Sequence, residues 1–140
     1  MGIKLHFDIS GDDFTRAGEA SGKIKNTLKE LGFNPETVRN VAIAMYEAEI
    51  NLVIHAGGGE IDVEISPEAV TAIFKDEGPG IADVEQAMQE GYSTAQDNVR
   101  NLGFGAGMGL PNIKRYSDEM DIQSTVGVGT VMTIKVYNKQ

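Results

Sequence analysis

Glu47-Ala-Glu-Ile-Asn51 places a carboxylate and an amide four residues apart, on one face of any helix that contains them. An Asn oxygen can coordinate Mg2+, and a Glu one turn away can orient or deprotonate a nucleophile. Asn51 also lies in an apolar segment, where an amide costs stability unless it is satisfied. The plainer alternative is an Asn with a local partner, and Glu47 and Glu49 in solvent. Asp76-Glu-Gly-Pro-Gly80 is the second constellation. Its acid can accept a specific hydrogen bond, while Gly78 and Gly80 let backbone approach a ligand. A turn pre-set by Pro would look the same. The third is Gly103-Phe-Gly-Ala-Gly-Met-Gly109 ahead of a helix, in which Gly103, Gly105, Gly107 and Gly109 could form an anion cradle or a hinge. No Gly-Lys-Ser/Thr follows it, and no strand directly precedes it, so it is neither a Walker A loop nor a dinucleotide fingerprint. The fourth, Gly127-Val-Gly-Thr130, reads alone as a hairpin turn. His6 and His55 read as a strand-surface and a helix-end residue, not as ligands.

The elements that must carry these groups follow from periodicity. Ile3, Leu5, Phe7 and Ile9 alternate with Lys4, His6 and Asp8 as a half-buried strand. Ser10-Gly-Asp-Asp offers helix caps, and Phe14, Ala17, Ala20, Ile24, Leu28 and Leu31 form a helical stripe ended by Gly32. Asn34-Pro35 starts a second helix that runs to about Ala56. Ile61–Ile65 and Val70–Asp76 read as a hairpin across Ser66-Pro-Glu-Ala. A short helix is predicted from Asp83 to about Gln89. Residues 90–108 carry almost no apolar period, which in a compact domain marks a functional or mobile loop. A helix from about Leu110 to Tyr116 precedes strands at Met120–Thr125 and Thr130–Tyr137. The order β-α-α-β-β-loop-α-β-β predicts an α+β two-layer sandwich, with helices on one face of a mixed, mainly antiparallel sheet. One domain spanning residues 1–140 is expected.

Composition narrows the class. The 140 residues carry 12 Lys+Arg against 21 Asp+Glu, a net charge of −9, and no Cys. That excludes disulfides and cysteine-based zinc or thiol chemistry. A pI near 4.6 argues against nucleic acid as a partner. No apolar run approaches the roughly 20 residues of a membrane span, and the first residues do not read as a signal peptide. A cytoplasmic protein without a membrane partner is expected. Residues 40–99 hold twelve carboxylates and one cation, Lys75, a local net of −11. Beside Gly-rich loops, such a stretch could hold a hard cation and phosphates together, or be a solvated acidic surface.

In combination and order, Glu-x-x-x-Asn, Asp-x-Gly-x-Gly, a Gly-rich lid and Gly-x-Gly-Thr resemble the ATP-binding boxes of the gyrase, Hsp90, histidine kinase and MutL superfamily. The resemblance covers nearly the whole chain. Within that superfamily the chain is similar to the small anti-sigma regulatory serine/threonine kinases of the stress-response switch type. Asp76-Glu-Gly-Pro-Gly-Ile, Glu90-Gly-Tyr-Ser-Thr94 and Gly107-Met-Gly-Leu-Pro-Asn-Ile-Lys-Arg115 carry that likeness. The resemblance implies a histidine-kinase-like, Bergerat-type ATP-binding fold with ATP and Mg2+ as cofactors. By the same resemblance, Asn51 would hold Mg2+ and Glu47 would act as base or orienter. Asp76 would read the adenine amino group, with Gly78 and Gly80 close to the nucleotide. Gly103, Gly105, Gly107 and Gly109 would wrap the phosphates, and Thr130 would complete the adenine end. One of Arg100, Lys114 and Arg115 would meet phosphate. Ala95–Leu102 departs from the family's compact lid as extra length.

The implied function is transfer of the ATP γ-phosphoryl group to a Ser or Thr of an antagonist-type partner protein in a partner-switching pathway. The alternative is a non-catalytic, nucleotide-dependent module that sequesters a sigma factor or activates a phosphatase. The two share the ATP site, and only Glu47 favours the kinase. A homodimer stays open. An ATPase piece of a larger machine is disfavoured, as is a histidine kinase, since no phosphoacceptor-His helix is read before Gly11.

Overall fold

The computed structural model describes residues 2–10, 18–54, 58–76, 109–125 and 129–138. Its strands are β1 (Ile3–Ser10), β2 (Gly58–Ile65), β3 (Ala69–Asp76), β4 (Glu119–Thr125) and β5 (Gly129–Tyr137). Its helices are α1 (Glu19–Glu30), α2 (Pro35–Ile54) and α3 (Gly109–Tyr116). The strands form one sheet in the order β1-β2-β3-β5-β4, and every pairing is antiparallel. The α+β sandwich expected from the element order is what forms, with its sheet at the fully antiparallel end of that expectation.

Alternation explains the two sheet faces. Ile61, Val63 and Ile65 of β2, Val70, Ala72 and Phe74 of β3, and Met132, Ile134 and Val136 of β5 are all buried. They meet Ala20, Ile24 and Leu28 of α1, Val38, Val41, Met45, Ala48 and Leu52 of α2, and Ile113 of α3. The α2 helix touches β1, β2, β3 and β5, while α1 and α3 pack against α2 on either side. Burying this apolar set at about 25 cal/mol per Å2 is the main force holding the layers together.

The local signals act as their chemistry predicts. Gly32 takes φ +79°, and the Phe33 N–H returns to the Leu28 carbonyl at 3.1 Å, closing α1. Asn34 Oδ1 accepts the Glu36 N–H at 2.8 Å, capping α2 ahead of Pro35. The start of α1 differs from expectation. Gly18 is left-handed at φ +100°, so the described helix starts at Glu19, and the expected caps at 11–13 lie outside the described residues. Phe14 and Ala17, His55, the predicted helix over 83–89, the loop at 90–108 and the turn residue Gly127 lie outside the described residues.

Candidate functional site

The α2 helix presents its acids in opposite directions. Glu47 is half-buried, and this desolvation raises its carboxyl pKa above the usual value, while a hydrogen bond from the Asn112 side chain pulls the other way. Asn112 belongs to α3, so the helix that follows the Gly-rich stretch is tied directly to Glu47. Asn51 lies one turn further along α2 on the Glu47 face and is also half-buried. Among the described residues its amide has no hydrogen-bond partner. An amide oxygen one turn from a carboxylate on the same helix face is an oxygen donor set that suits a hard cation.

Glu49 points the other way and is only 1 % exposed. Its Oε2 accepts the backbone N–H groups of Gly18 at 3.0 Å and Ala20 at 3.3 Å, and its Oε1 accepts that of Ser21 at 3.1 Å. Free N–H groups at a helix start need acceptors, and the positive end of the helix favours an anion there. Glu49 therefore caps α1 from a different helix. Glu49 is buried and Glu47 half-buried, so the expectation of two solvated acids does not hold for Glu49.

At the far end of the sheet, Asp76 closes β3 directly opposite Thr130 of β5. The Thr130 N–H donates to Asp76 Oδ1 at 3.2 Å. Thr130 Oγ1 lies 2.9 Å from Ser124 Oγ, so the ends of three adjacent strands are joined by polar contacts. The structure thus brings together Asp76 and Thr130, which the sequence separates by 54 positions. Ser124 joins them without having been singled out in the sequence.

Gly59 sets how closely these parts approach. A Cβ at Gly59 would lie 2.2 Å from the Lys75 carbonyl oxygen and 3.2 Å from Leu52 Cδ2. Leu52 neighbours Asn51, and Lys75 neighbours Asp76. The bare backbone at Gly59 lets β2 lie close both to the strand bearing the acid and to a side chain of the helix bearing the amide. Gly109 opens α3, and Lys114 and Arg115 lie exposed in its last turn. Gly78, Gly80, Arg100, Gly103, Gly105 and Gly107 lie outside the described residues.

With this geometry in hand, likeness to known proteins is informative. Residues 12–136 match the family described as "Histidine kinase-like ATPase domain". The chain is 34% identical over 110 residues to "Serine/threonine-protein kinase RsbT" of Bacillus subtilis (strain 168), covering 76% of this chain and 77% of that protein. It is 32% identical over 141 residues to "Anti-sigma F factor" of Clostridium beijerinckii, covering 96% of this chain and 92% of that one. Among solved structures it resembles the RsbU and RsbW domains of a Mycobacterium tuberculosis protein, at a TM-score of 0.62 and 17% identity, over 99% of this chain and 33% of that longer one. The mycobacterial sensor histidine kinase MprB gives a TM-score of 0.52 at 15% identity, over 98% and 99% of the two chains. At such identities the structural matches speak to the fold alone.

Proposed function

The chain belongs to the histidine kinase-like ATPase domain family, and on that premise we propose that it is an ATP-dependent serine/threonine protein kinase of the anti-sigma regulatory type. Its substrate would be an antagonist-type partner protein in a partner-switching pathway; that its relatives are named a serine/threonine-protein kinase and anti-sigma F factors supports the reading. The observation that carries the reading is the Glu47 carboxyl, half-buried, held by Asn112, and one turn from the half-buried Asn51 on the same helix face.

In this reading ATP is the phosphoryl donor. The oxygen of the partner's Ser or Thr attacks the γ-phosphorus, the bond to the bridging oxygen breaks, and ADP leaves. Glu47 orients that hydroxyl and takes its proton, and Asn112 holds the carboxyl in place. Asp76 accepts a hydrogen bond from the adenine amino group with one oxygen while Thr130 engages the other side of the carboxyl. Asn51 fits Mg2+ through its amide oxygen, and Mg2+ bound there would offset phosphate charge. Gly78, Gly80, Gly103, Gly105, Gly107 and Gly109 are assigned to nucleotide contact on the motif pattern. Among the described residues no helix is long and apolar enough to cross a membrane.

The test is incubation with γ-labelled ATP, Mg2+ and candidate antagonist proteins, with ATP calorimetry on the same preparations. Glu47→Ala should lower transfer by ~10²–10⁴-fold with little change in ATP affinity. Asn51→Ala should lose Mg2+-dependent ATP binding and transfer together while the fold persists. Nucleotide-dependent co-elution with a partner and no label transfer by the unmodified chain would select the non-catalytic module instead.

A further inference from the structure

The open face of the sheet, opposite the helices, carries a cluster unrelated to the site on α2. Antiparallel pairing sets His6 of β1 opposite Asp62 of β2, and Asp8 opposite Glu60. Alternation turns Leu5, Phe7 and Ile9 toward the core, so the four polar side chains share the outer face as a two-by-two block. His6 stands on the strand surface, as its place in the sequence predicts, but its surroundings are specific. Nδ1 lies 2.6 Å from Asp62 Oδ1. Nε2 lies 3.1 Å from Asp8 Oδ1 and 3.9 Å from Glu60 Oε1.

We propose that His6 Nε2, Asp8 and Glu60 form a binding site for a borderline divalent metal of the Zn2+ class, with Asp62 fixing the imidazole from behind. In the neutral ring, Nδ1–H donates to Asp62, and the Nε2 lone pair then faces the other two carboxylates. A carboxylate behind a histidine ligand is the arrangement that orients metal-binding imidazoles and raises their basicity. The ligand atoms of His6, Asp8 and Glu60 all lie within 4.8 Å of one another. Tetrahedral zinc with bonds near 2.0 Å needs ligand atoms about 3.3 Å apart, which rotation of exposed side chains supplies.

One further feature favours a cation here. Asp8 and Glu60 are directly opposed across the strand pair, a like-charge juxtaposition that is unfavourable without a counter-charge. One imidazole nitrogen with carboxylate oxygens selects zinc-like metals over Mg2+, which prefers all-oxygen shells. Three protein ligands leave a position for water, and the ion would staple the edge strand β1 to β2. This site is independent of the proposed kinase chemistry.

The experiment titrates the full chain with Zn2+ alone, without nucleotide, against a chromophoric chelator, and follows the ring nitrogens by 15N NMR. One equivalent should shift the His6 Nε2 resonance, assigned by its loss in His6→Ala. His6→Ala and Glu60→Gln should each weaken binding at this site at least tenfold, whereas Asn51→Ala should leave it unchanged. An unmoved His6 resonance at one equivalent overturns the proposal. So does equal affinity in His6→Ala, which would place the ion elsewhere, or an equal response to Mg2+.

Discussion

Replacing Glu49 by Gln removes a charge and one acceptor from a site that is 1 % exposed, with almost no change in volume. Oε2 carries the Gly18 and Ala20 N–H groups, and Oε1 carries that of Ser21. A glutamine amide has a single oxygen. Oriented to keep Gly18 and Ala20, it turns its NH2 toward the Ser21 N–H, donor against donor. The reverse orientation strands two donors in place of one. An unpaired buried donor costs about 1–3 kcal/mol, and the surviving bonds lose their charge assistance, so a loss of about 2–3 kcal/mol is expected. Glu49→Ala, which leaves the donors of Gly18, Ala20 and Ser21 unmet, should cost about 3–5 kcal/mol. Urea unfolding followed by circular dichroism measures both, with an unchanged slope and a lower midpoint. In heat, the Glu49→Gln variant should melt roughly 5–15 °C lower, at several degrees per kcal/mol for a domain of this size. Glu30→Gln, at the exposed end of α1, serves as the control and should stay within about 0.5 kcal/mol of the unmodified chain. A Glu49→Gln variant as stable as that control would mean that Glu49 does not hold the start of α1.

Gly59→Ala should destabilise by about 1–3 kcal/mol, because a Cβ 2.2 Å from the Lys75 carbonyl forces backbone to move; an unshifted urea midpoint would refute the close approach. Asp76→Asn keeps an oxygen for the Thr130 N–H, and ATP binding should weaken by about 1.5–3 kcal/mol, roughly 10–150-fold, in calorimetry. Equal affinity of the unmodified chain for ATP and GTP in calorimetry would remove Asp76 from adenine recognition. The raised Glu47 pKa gives a pH signature. Folding disfavours the ionised form, so the carboxyl contributes most below its ordinary value of 4.5, and that contribution is lost as pH rises through the higher folded value. Glu47→Gln should therefore gain stability relative to the unmodified chain between pH 4 and pH 7, and the acid limb of label transfer should lie above pH 4.5. A constant stability difference across that range would contradict the desolvation of Glu47.

The parts of the fold legible in the sequence were those set by neighbours along the chain. Alternation at Ile61–Ile65 and the Asn34-Pro35 start each specify an element through local geometry, and the structure has them where the pattern puts them. Gly32 ends α1 for the same reason. The start of α1 was not legible, because its cap comes from Glu49, some thirty residues away. A signal existed for half of this. Glu49 is four residues after Met45 and three before Leu52, both core residues, so its side chain had to enter the core stripe. An acid in that stripe must find donors. Nothing in the sequence says that those donors are backbone groups of Gly18, Ala20 and Ser21. Asn112 escaped in the same way: it stands inside the Gly107–Arg115 motif, yet its contact with Glu47 exists only once α3 packs on α2.

These contacts give α2 a role beyond carrying Glu47 and Asn51. Through Glu49 it fixes where α1 begins, and through Glu47 it holds Asn112 near the start of α3. The anchor acids are two residues apart, so both flanking helices are referenced to one short stretch of one rigid helix. Apolar contacts alone would join the same helices with more freedom to slide, since the hydrophobic effect has no direction. A carboxylate that must meet three N–H groups at once admits one position along α1. The desolvation cost of a buried acid is then exchanged for registration of the helix layer on the strand ends. Gly59 of β2 adds a constraint at the sheet, since its backbone leaves no room for a Cβ beside the Lys75 carbonyl and the Leu52 side chain of α2. Phosphoryl transfer depends on positioning more than on covalent help from the protein. A helix registered at its flanks and against the sheet is what such a site requires, and here the registration comes from residues adjoining the ones proposed to do the chemistry.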